Sequence, residues 1–266
     1  MKRWNVVIWV AGIWLVQSMG AEEEKLRPKI IAHRGASVVA PENTLASIKA
    51  AQEAGADWVE WDTRVTADGV LILQHDADLQ RYLGKKGKGK VAEMSFEASQ
   101  DYDLGWWFAK QFEGEKMPTL QQAIELALPK MLPLIERKTG SAAQHVEVIR
   151  KLKAADQVVV QAFDWKFLKK LRQLAPEIKM GALGSKPIKG KQFKQLFELK
   201  PEYVGWGSGD LKRGDVERFH QQGIKVLVWT VDDGEEIAKF VSWGVDGIIT
   251  NDPANTRKVV ESNGNG

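Results

Sequence analysis

The sequence contains no cysteine, which excludes disulfide bonds and the lipid-modified cysteine that anchors a bacterial lipoprotein. It also lacks an apolar run long enough to span a bilayer, because residues 6–16 supply only eleven positions and a spanning helix needs about 20. Lys2 and Arg3 precede this run and small residues end it at Gly20, a pattern typical of a secretory signal peptide. We therefore expect residues 1–20 to be removed during export to the periplasm or the medium, which leaves no stable membrane anchor.

A strong net charge is absent as well. Removal of Lys2 and Arg3 with the signal peptide lowers the formal net charge from +3 to +1, so wholesale attraction to nucleic acid is not expected. The full chain is 44% hydrophobic, and the 246 residues after position 20 suit one large domain, which we place at residues 27–262. Because no disulfide is available, this domain must be stabilised by its apolar core.

Short apolar runs alternate with amphipathic helical patterns along most of the chain. Parallel strands joined by crossover helices produce such an alternation. Eight strands of this kind predict a closed TIM-type (β/α)8 barrel, although an open doubly wound sheet would accommodate the same order. The predicted strands are residues 29–32, 57–62, 131–136, 157–162, 178–183, 202–206, 224–231 and 245–250, and the predicted helices are residues 44–54, 142–154, 165–174, 191–199, 215–222, 234–243 and 253–260.

The second predicted strand carries two acids. Glu60 and Asp62 alternate along it, so they lie on the same face. Asp68-Gly69 is a strong signal for a two-residue hairpin turn, followed by an apolar return strand at residues 70–75. A two-residue loop places His75 opposite Asp62, so this one hairpin is expected to hold all three side chains together.

A segment at about residues 78–117 does not fit the alternation and predicts a short insertion after the hairpin. Within it, residues 84–90 are glycines and lysines, for which a solvated loop is favoured over a cationic lip that attracts an anionic substrate. The apolar residues 103–108 suit either a flap over the site or a plug that covers the barrel edge.

Active sites of β/α barrels lie at the C-terminal ends of the strands, and Glu136 ends the third parallel strand. Glu60, Asp62 and Glu136 can therefore form an oxygen site for a hard divalent cation, Mg²⁺ or Ca²⁺. Zinc is less favoured because no cysteine is present.

Other conspicuous side chains have structural interpretations. His145 and His220 lie on predicted helices and are expected at the surface. Trp58 and Trp61 flank Glu60 and are expected to pack against helices, and Trp206 suits either the mouth of the barrel or its core.

Nine motifs spread over residues 30–254 together resemble the glycerophosphodiester phosphodiesterase family. They occur in the family's order and cover nearly the whole chain beyond the predicted signal peptide. The motifs are His33-Arg34-Gly35, Pro41-Glu42-Asn43-Thr44, Glu60-x-Asp62, Thr66-x-Asp68-Gly69, His75-Asp76-x-x-Leu79, Met117-Pro118-Thr119-Leu120, Glu136-x-Lys138, Trp229-Thr230-Val231 and Asp246-Gly247-Ile248-Ile249-Thr250-Asn251-Asp252-Pro253.

The resemblance implies a metal-dependent enzyme that cleaves a small glycerophosphodiester to glycerol 3-phosphate and an alcohol. The matched residues are the metal ligands Glu60, Asp62 and Glu136, the acid–base pair His33 and His75, and the phosphate binders Arg34 and Lys138. Trp229, inside its own motif, is expected to form an apolar wall for the glycerol.

Two alternatives use the same residues. A lysophospholipase D or a sphingomyelinase D-like enzyme would apply the same histidines and cation to a lipid. The chain departs from the family at Gln161-Ala162, where many members have a serine before the phenylalanine, and this departure bears on the leaving alcohol. A non-catalytic periplasmic binder of phosphodiesters is expected to have lost a histidine or an acid, whereas this chain retains all of them.

Overall fold

A computed structural model describes residues 27–80 and 89–264 of the chain. The predicted signal peptide and residues 84–88 of the glycine- and lysine-rich segment lie outside these ranges. Within the described ranges, no helix is long and apolar enough to cross a membrane.

Eight parallel strands form a closed barrel, because the first strand pairs with both the second and the last. A further short strand, β3, runs antiparallel to β2 and completes a hairpin. The predicted TIM-type (β/α)8 barrel is thereby confirmed. The strands are β1 (Lys29–Ala32), β2 (Trp58–Val65), β3 (Leu71–Leu73), β4 (Leu132–Arg137), β5 (Val159–Ala162), β6 (Lys179–Gly184), β7 (Tyr203–Gly207), β8 (Lys225–Trp229) and β9 (Gly247–Thr250).

Helices follow the parallel strands and surround the barrel. The helix Leu120–Ala127 was not predicted, although a capping box marks its start: Gln122 N donates to Thr119 Oγ1 and Thr119 N donates to Gln122 Oε1. The described helices are α1 (Leu45–Glu53), α2 (Phe96–Ser99), α3 (Leu120–Ala127), α4 (Ala142–Lys151), α5 (Trp165–Leu174), α6 (Gly190–Leu199), α7 (Arg213–His220), α8 (Gly234–Trp243) and α9 (Pro253–Gly264).

The barrel strands separate two apolar layers. Trp61 belongs to the large outer layer between strands and helices, as expected. Trp58 does not, because it shares the period-2 face of Glu60 and points into the barrel, where its ring meets Tyr203 edge-on at 5.3 Å. The expectation that Trp58 packs against helices is therefore wrong. This inner cluster, with Ile31 and Leu134 among its members, is the apolar floor beneath the acidic residues.

The hairpin register differs from the prediction by one residue. Gln74, not His75, lies opposite Asp62, and Gln74 N donates to Asp62 O at 2.9 Å. The favoured two-residue turns need positive φ at the first central position, which here is Asp68, but only Gly69 has it, with φ of 87°. The turn therefore takes in more residues, and the bond from Thr66 N to Val70 O closes it. His75 follows the strand rather than pairing within it.

The described part of the insertion packs onto β3 through a small apolar cluster that includes Ile72, Leu104 and Met117. Beyond Leu104, the chain turns through a loop whose two tryptophans, Trp106 and Trp107, are 53% and 39% exposed. Part of residues 103–108 therefore covers β3 and part is exposed, so the flap and the plug both remain predictions.

His145 is fully buried, so the expectation that it lies at the surface is wrong. It occupies the apolar face of α4 together with Val146 and Ile149. Its Nδ1 lies 2.9 Å from Ser141 O and its Nε2 lies 2.9 Å from the Thr63 hydroxyl, so both nitrogens have partners. His220, in contrast, is an exposed residue of α7.

Burial of His145 predicts an acid-sensitive contribution to stability. Burial lowers the pKa of His145 to about 4, whereas the unfolded chain has the ordinary histidine value near 6.5. Below pH 6.5 the unfolded chain binds a proton at this histidine that the folded chain does not bind. The free energy of unfolding therefore falls as the pH drops toward 4, by up to about 3 kcal/mol. We expect the advantage of the wild type over His145→Gln, measured by urea unfolding, to shrink by this amount between pH 7 and pH 4.

Gln173→Ala is the control, because Gln173 is an exposed, non-titrating residue of another barrel helix, α5. The difference in stability between the wild type and this variant is expected to stay nearly constant over the same pH range. A constant difference between the wild type and His145→Gln would contradict the prediction.

Candidate active site

Three acidic side chains meet near the C-terminal ends of β2 and β4. Glu60 and Asp62 alternate on β2, and Glu136 lies beside Asp62 in the parallel register of the two strands. One carboxylate oxygen from each residue lies within 4.8 Å of the other two. Period-2 alternation and strand pairing therefore bring together the three acids that the sequence singled out.

Burial sets the electrostatics of these acids. Burial, reinforced by the neighbouring carboxylates, raises the pKa of Glu60 well above its usual range and that of Glu136 to about 7. Burial also opposes the charge on Asp62, but nearby Lys138 and Arg34 outweigh it and lower the pKa of Asp62.

The acidic cluster fits a metal ion. Glu60 Oε1 is buried and has no hydrogen-bond partner among the described residues, which is costly for a carboxylate oxygen. A hard divalent cation takes carboxylate oxygens as ligands and would compensate this oxygen. The group formed by Glu60, Asp62 and Glu136 could therefore hold such an ion.

Two cationic side chains face the same acids. Arg34 Nε lies 3.1 Å from Asp62 Oδ2, and Lys138 Nζ lies 3.1 Å from Asp62 Oδ1 while also contacting Glu136. Arg34 is held further by a 2.9 Å hydrogen bond from Nη1 to Glu42 Oε1. Both cations also line the central cavity, so they can meet a ligand there.

Asn43 positions Asp62 and had no role in the sequence interpretation. Its Nδ2 donates to Asp62 Oδ2 and its Oδ1 accepts from Asp62 N, each at 3.0 Å. Asn43 has a φ of 58°, a conformation that asparagine adopts more readily than most residues. The available signal was the motif Pro41-Glu42-Asn43-Thr44, whose threonine caps α1.

His33 has a defined proton position. Its Nδ1 lies 2.7 Å from Asn251 Oδ1, and Asn251 Nδ2 donates to Asp232 Oδ2 at 2.6 Å. Because a carboxylate only accepts, Asp232 fixes the orientation of the Asn251 amide, and His33 Nδ1 must then donate. Burial and the adjacent Arg34 lower the pKa of His33, so near neutral pH its Nε2 carries a free lone pair.

His75 has a carboxylate as its neighbour, whereas His33 has an amide. Its Nδ1 lies 2.7 Å from the Asp76 carboxylate, so it also donates through Nδ1. The two rings therefore differ in their Nδ1 partner, which is a charged carboxylate for His75 and a neutral amide for His33. The sequence interpretation assigned no role to Asp76, Asn251 or Asp232. Of these, Asp76 was recognisable from its position next to a motif histidine.

A cavity of about 210 Å³ opens at this end of the barrel. Trp206 is not part of it, because its ring is fully buried in the outer layer and its Nε1 donates to Lys186 O. Asp62 lies beneath the cavity, behind the cations that contact it. The remaining expected site residues all line the cavity, namely His33, Arg34, Glu60, His75, Glu136, Lys138 and Trp229.

Five further residues complete the cavity wall, namely Gln161, Phe163, Leu183, Thr230 and Ile249. Gln161 faces inward beside Glu136, its partner on the neighbouring strand. Phe163 meets Trp229 edge-on at 5.8 Å, and Leu183 and Ile249 supply aliphatic surface. One half of the cavity is therefore charged, and the other half is apolar or neutral.

Comparisons with known proteins agree with this arrangement. Residues 33–255 match the glycerophosphoryl diester phosphodiesterase family. A glycerophosphodiester phosphodiesterase of Caldanaerobacter subterraneus is 32% identical over 90% of this chain and all of that protein. A glycerophosphodiester phosphodiesterase of Bacillus subtilis is 31% identical over 86% of this chain and 85% of that protein.

A solved structure shares the fold. The phosphodiesterase of Oleispira antarctica, determined in complex with its product sn-glycerol-3-phosphate, has a TM-score of 0.83 and 28% identity, and the match covers 88% of this chain and 97% of that one. The chain therefore belongs to the glycerophosphoryl diester phosphodiesterase family and is a phosphoric diester hydrolase with glycerophosphodiester phosphodiesterase activity.

Proposed function

We propose that the enzyme hydrolyses glycerophosphodiesters to glycerol 3-phosphate and an alcohol, with one divalent cation and two histidines in acid–base roles. The observation that carries the proposal is the arrangement of one cavity. Two members of a buried three-carboxylate cluster, two cations and two imidazoles with different partners line its wall. The Oleispira antarctica relative with bound sn-glycerol-3-phosphate supports the identity of the product.

The charged half of the cavity would bind the phosphodiester. Glu60, Asp62 and Glu136 would hold the cation, Mg²⁺ or Ca²⁺, which when bound supplies positive charge to the phosphoryl oxygens. Arg34 and Lys138 would donate hydrogen bonds to the same phosphate. These donors matter because a phosphodiester anion repels its nucleophile and gains negative charge on its oxygens during displacement.

The two histidines would take opposite roles. His33, neutral with its proton on Nδ1, would accept a proton at Nε2 from the attacking hydroxyl, either water or the glycerol 2-hydroxyl. His75, beside the Asp76 carboxylate, would carry a proton on Nε2 and donate it to the departing alkoxide. This assignment follows from the neighbours of each ring, because Asn251 is a neutral partner and Asp76 a charged one.

The charge pattern at residues 1–20 supports export, and we extend the proposal to a periplasmic or secreted enzyme with one domain at residues 27–262. An extracytoplasmic location would give the cavity access to glycerophosphodiesters that arise from lipid breakdown outside the cytoplasm.

Metal removal should abolish turnover and lower stability together. Treatment with EDTA is expected to abolish hydrolysis of glycerophosphocholine, and addition of Mg²⁺ or Ca²⁺ should restore it. A cation at about 100 times its dissociation constant should also stabilise the fold by about 2.7 kcal/mol, measured as a rise in thermal midpoint. Glu60→Gln should lose most of this rise, because it removes one ligand charge.

Glu53→Gln is the matched control for Glu60→Gln, since Glu53 is an exposed acid on α1. This variant should keep both the cation-induced rise in thermal midpoint and the activity. Full activity in a metal-free preparation, with no response of the thermal midpoint to either ion, would contradict the metal assignment.

The acid and base roles predict different responses to the leaving group. His75→Ala should lose about 10²- to 10⁴-fold in kcat on glycerophosphocholine but much less on the p-nitrophenyl ester of glycerol 3-phosphate, whose leaving group needs no proton. His33→Ala should lose a similar factor on both substrates, because the attacking hydroxyl still requires a base.

His220→Ala is the control for these variants and should retain activity on both esters, because His220 lies on the exposed side of α7. Equal losses on the two esters in His75→Ala would remove its acid role. Near wild-type turnover of either ester in His33→Ala would remove its base role.

A lysophospholipase D activity is the second candidate, and exposed aromatic residues favour it. Phe163 lines the cavity and is 46% exposed, and Trp106 and Trp107 extend from the insertion that follows the β2–β3 hairpin. Apolar surface of this kind suits contact with an acyl chain or a lipid surface.

Hydrolysis of lysophosphatidylcholine and glycerophosphocholine, compared by kcat/KM with the same enzyme and ion, tests this candidate. We expect glycerophosphocholine to be preferred, and Phe163→Ala to reduce any activity on the lysolipid more than on glycerophosphocholine. A kcat/KM that favours the lysolipid would make the second candidate the principal function.

A further inference from the structure

The neutral half of the cavity contains two buried polar groups that have no hydrogen-bond partner within residues 27–80 and 89–264. Gln161 is only 2% exposed, and its Oε1 has no hydrogen-bond partner among the described residues. Trp229 Nε1 is likewise buried and without a partner in the described part of the chain. One group accepts and the other donates, and both residues line the cavity.

Glycines form the barrel wall beside these groups. Strands β6 and β7 separate β5 from β8 and place Gly181 and Gly205 at this wall. A Cβ added to Gly205 would lie 3.6 Å from both Gln161 Oε1 and Trp229 Cδ1, and only 2.7 Å from Leu183 Cδ2. Gln161 Oε1 and the Trp229 ring therefore both adjoin Gly205, where an added methyl group would collide with Leu183.

A hydroxyl group suits both partners at once. It accepts one hydrogen bond from the indole N–H and donates another to the amide oxygen, so it satisfies two groups that are costly to leave unpaired. The trimethylammonium group of choline has neither an O–H nor an N–H, so it would leave both groups unsatisfied. This half of the cavity is therefore better suited to bind the glycerol moiety of a phosphodiester than its choline head group.

We propose that Gln161 and Trp229 together bind the terminal hydroxyl of the glycerol moiety and so determine specificity. The inference rests on the proposed function, which places the phosphate near Arg34, Lys138 and the acids on β2 and β4. The glycerol hydroxyl furthest from the phosphate then reaches toward β5 and β8. Trp229 acts here as a hydrogen-bond donor, beyond its expected role as an apolar wall.

This arrangement has a consequence for substrate class. A 1-acyl lysophospholipid carries its acyl ester on the oxygen that the pair would bind, so that oxygen has no proton to donate to Gln161. The pair therefore discriminates against such lipids and in favour of diesters with a free glycerol.

Binding of three small phosphates tests the inference without requiring turnover. We would measure dissociation constants by calorimetry, with Mg²⁺ or Ca²⁺ present, for sn-glycerol 3-phosphate, for 2-hydroxypropyl phosphate without the terminal hydroxyl, and for 3-hydroxypropyl phosphate without the 2-hydroxyl. Wild type should bind glycerol 3-phosphate about tenfold or more tightly than 2-hydroxypropyl phosphate. In Gln161→Met this ratio should fall toward one, while the ratio to 3-hydroxypropyl phosphate stays unchanged.

Gln157→Met is the matched control, because Gln157 is an exposed glutamine just before β5 and should leave all ratios as in wild type. Trp229→Phe removes the indole donor but keeps an aromatic ring, and it decides the question if Gln161→Met does not fold. An unchanged ratio in the folded variant, or an equal loss for all three ligands, would overturn the inference.

The same preparations are assayed on glycerophosphocholine, which separates the two proposals. If the wild type distinguishes the phosphates as expected but does not hydrolyse the diester, the proposed function fails and the hydroxyl site stands. If it hydrolyses the diester without distinguishing the phosphates, the hydroxyl site fails and the proposed function stands.

Discussion

Three carboxylates buried side by side impose the constraint on which the other features of the site depend. Like charges at such separations repel strongly where the surroundings are poorly polarisable, and burial removes the water that would screen them. The protein compensates only one of them fully, since Asp62 receives Arg34, Lys138 and the amide of Asn43. Glu60 retains an unpaired buried oxygen. The fold therefore maintains a buried acidic cluster that could hold a cation, and the apolar layers must supply the stability that offsets its burial.

Arg34 connects this constraint to the histidines. Its guanidinium contacts Asp62 and Glu42, its backbone N donates to Glu60 Oε2 at 3.0 Å, and its charge lies beside His33. The same cation that offsets the acids therefore opposes protonation of the neighbouring imidazole. His75 is paired with the Asp76 carboxylate instead. Through Arg34, the acidic cluster thus contributes to the lowered pKa of His33.

The sequence predicted the features that follow from short periodicities. Alternation along a strand placed Glu60 and Asp62 on one face, and the strand-then-helix order led to a closed barrel that brings Glu136 to the same end. The hairpin register was wrong because it depended on the φ of Asp68, which the residue pair Asp68-Gly69 does not determine. Correct use of the same alternation would have placed Trp58 inside the barrel.

Other contacts of the site could not be predicted from short periodicities, because the residues that make them are far apart in the chain. Asn251 reaches His33 only because β9 pairs with β1 when the barrel closes, and Asp232 then orients Asn251 from the end of β8. His145 looked like a surface residue since a histidine is compatible with either face of a helix. Its burial became apparent only when Thr63 of β2 supplied a partner for its second nitrogen.

Barrel closure also explains how charged and neutral recognition can coexist in one small cavity. The acids and cations come from the β1–β4 side, whereas β5–β8 contribute an amide, an indole and glycines, so the two sets of groups scarcely compete for the same space. Charge neutralisation must be strong but need not discriminate, because every phosphodiester presents the same anion. Discrimination instead requires neutral groups that lose a hydrogen bond when the wrong alcohol is present. Gln161 lies beside Glu136 in the sheet, yet its Oε1 and Trp229 Nε1 have no hydrogen-bond partner among the described residues, which leaves the hydrogen-bonding capacity of both groups to a substrate.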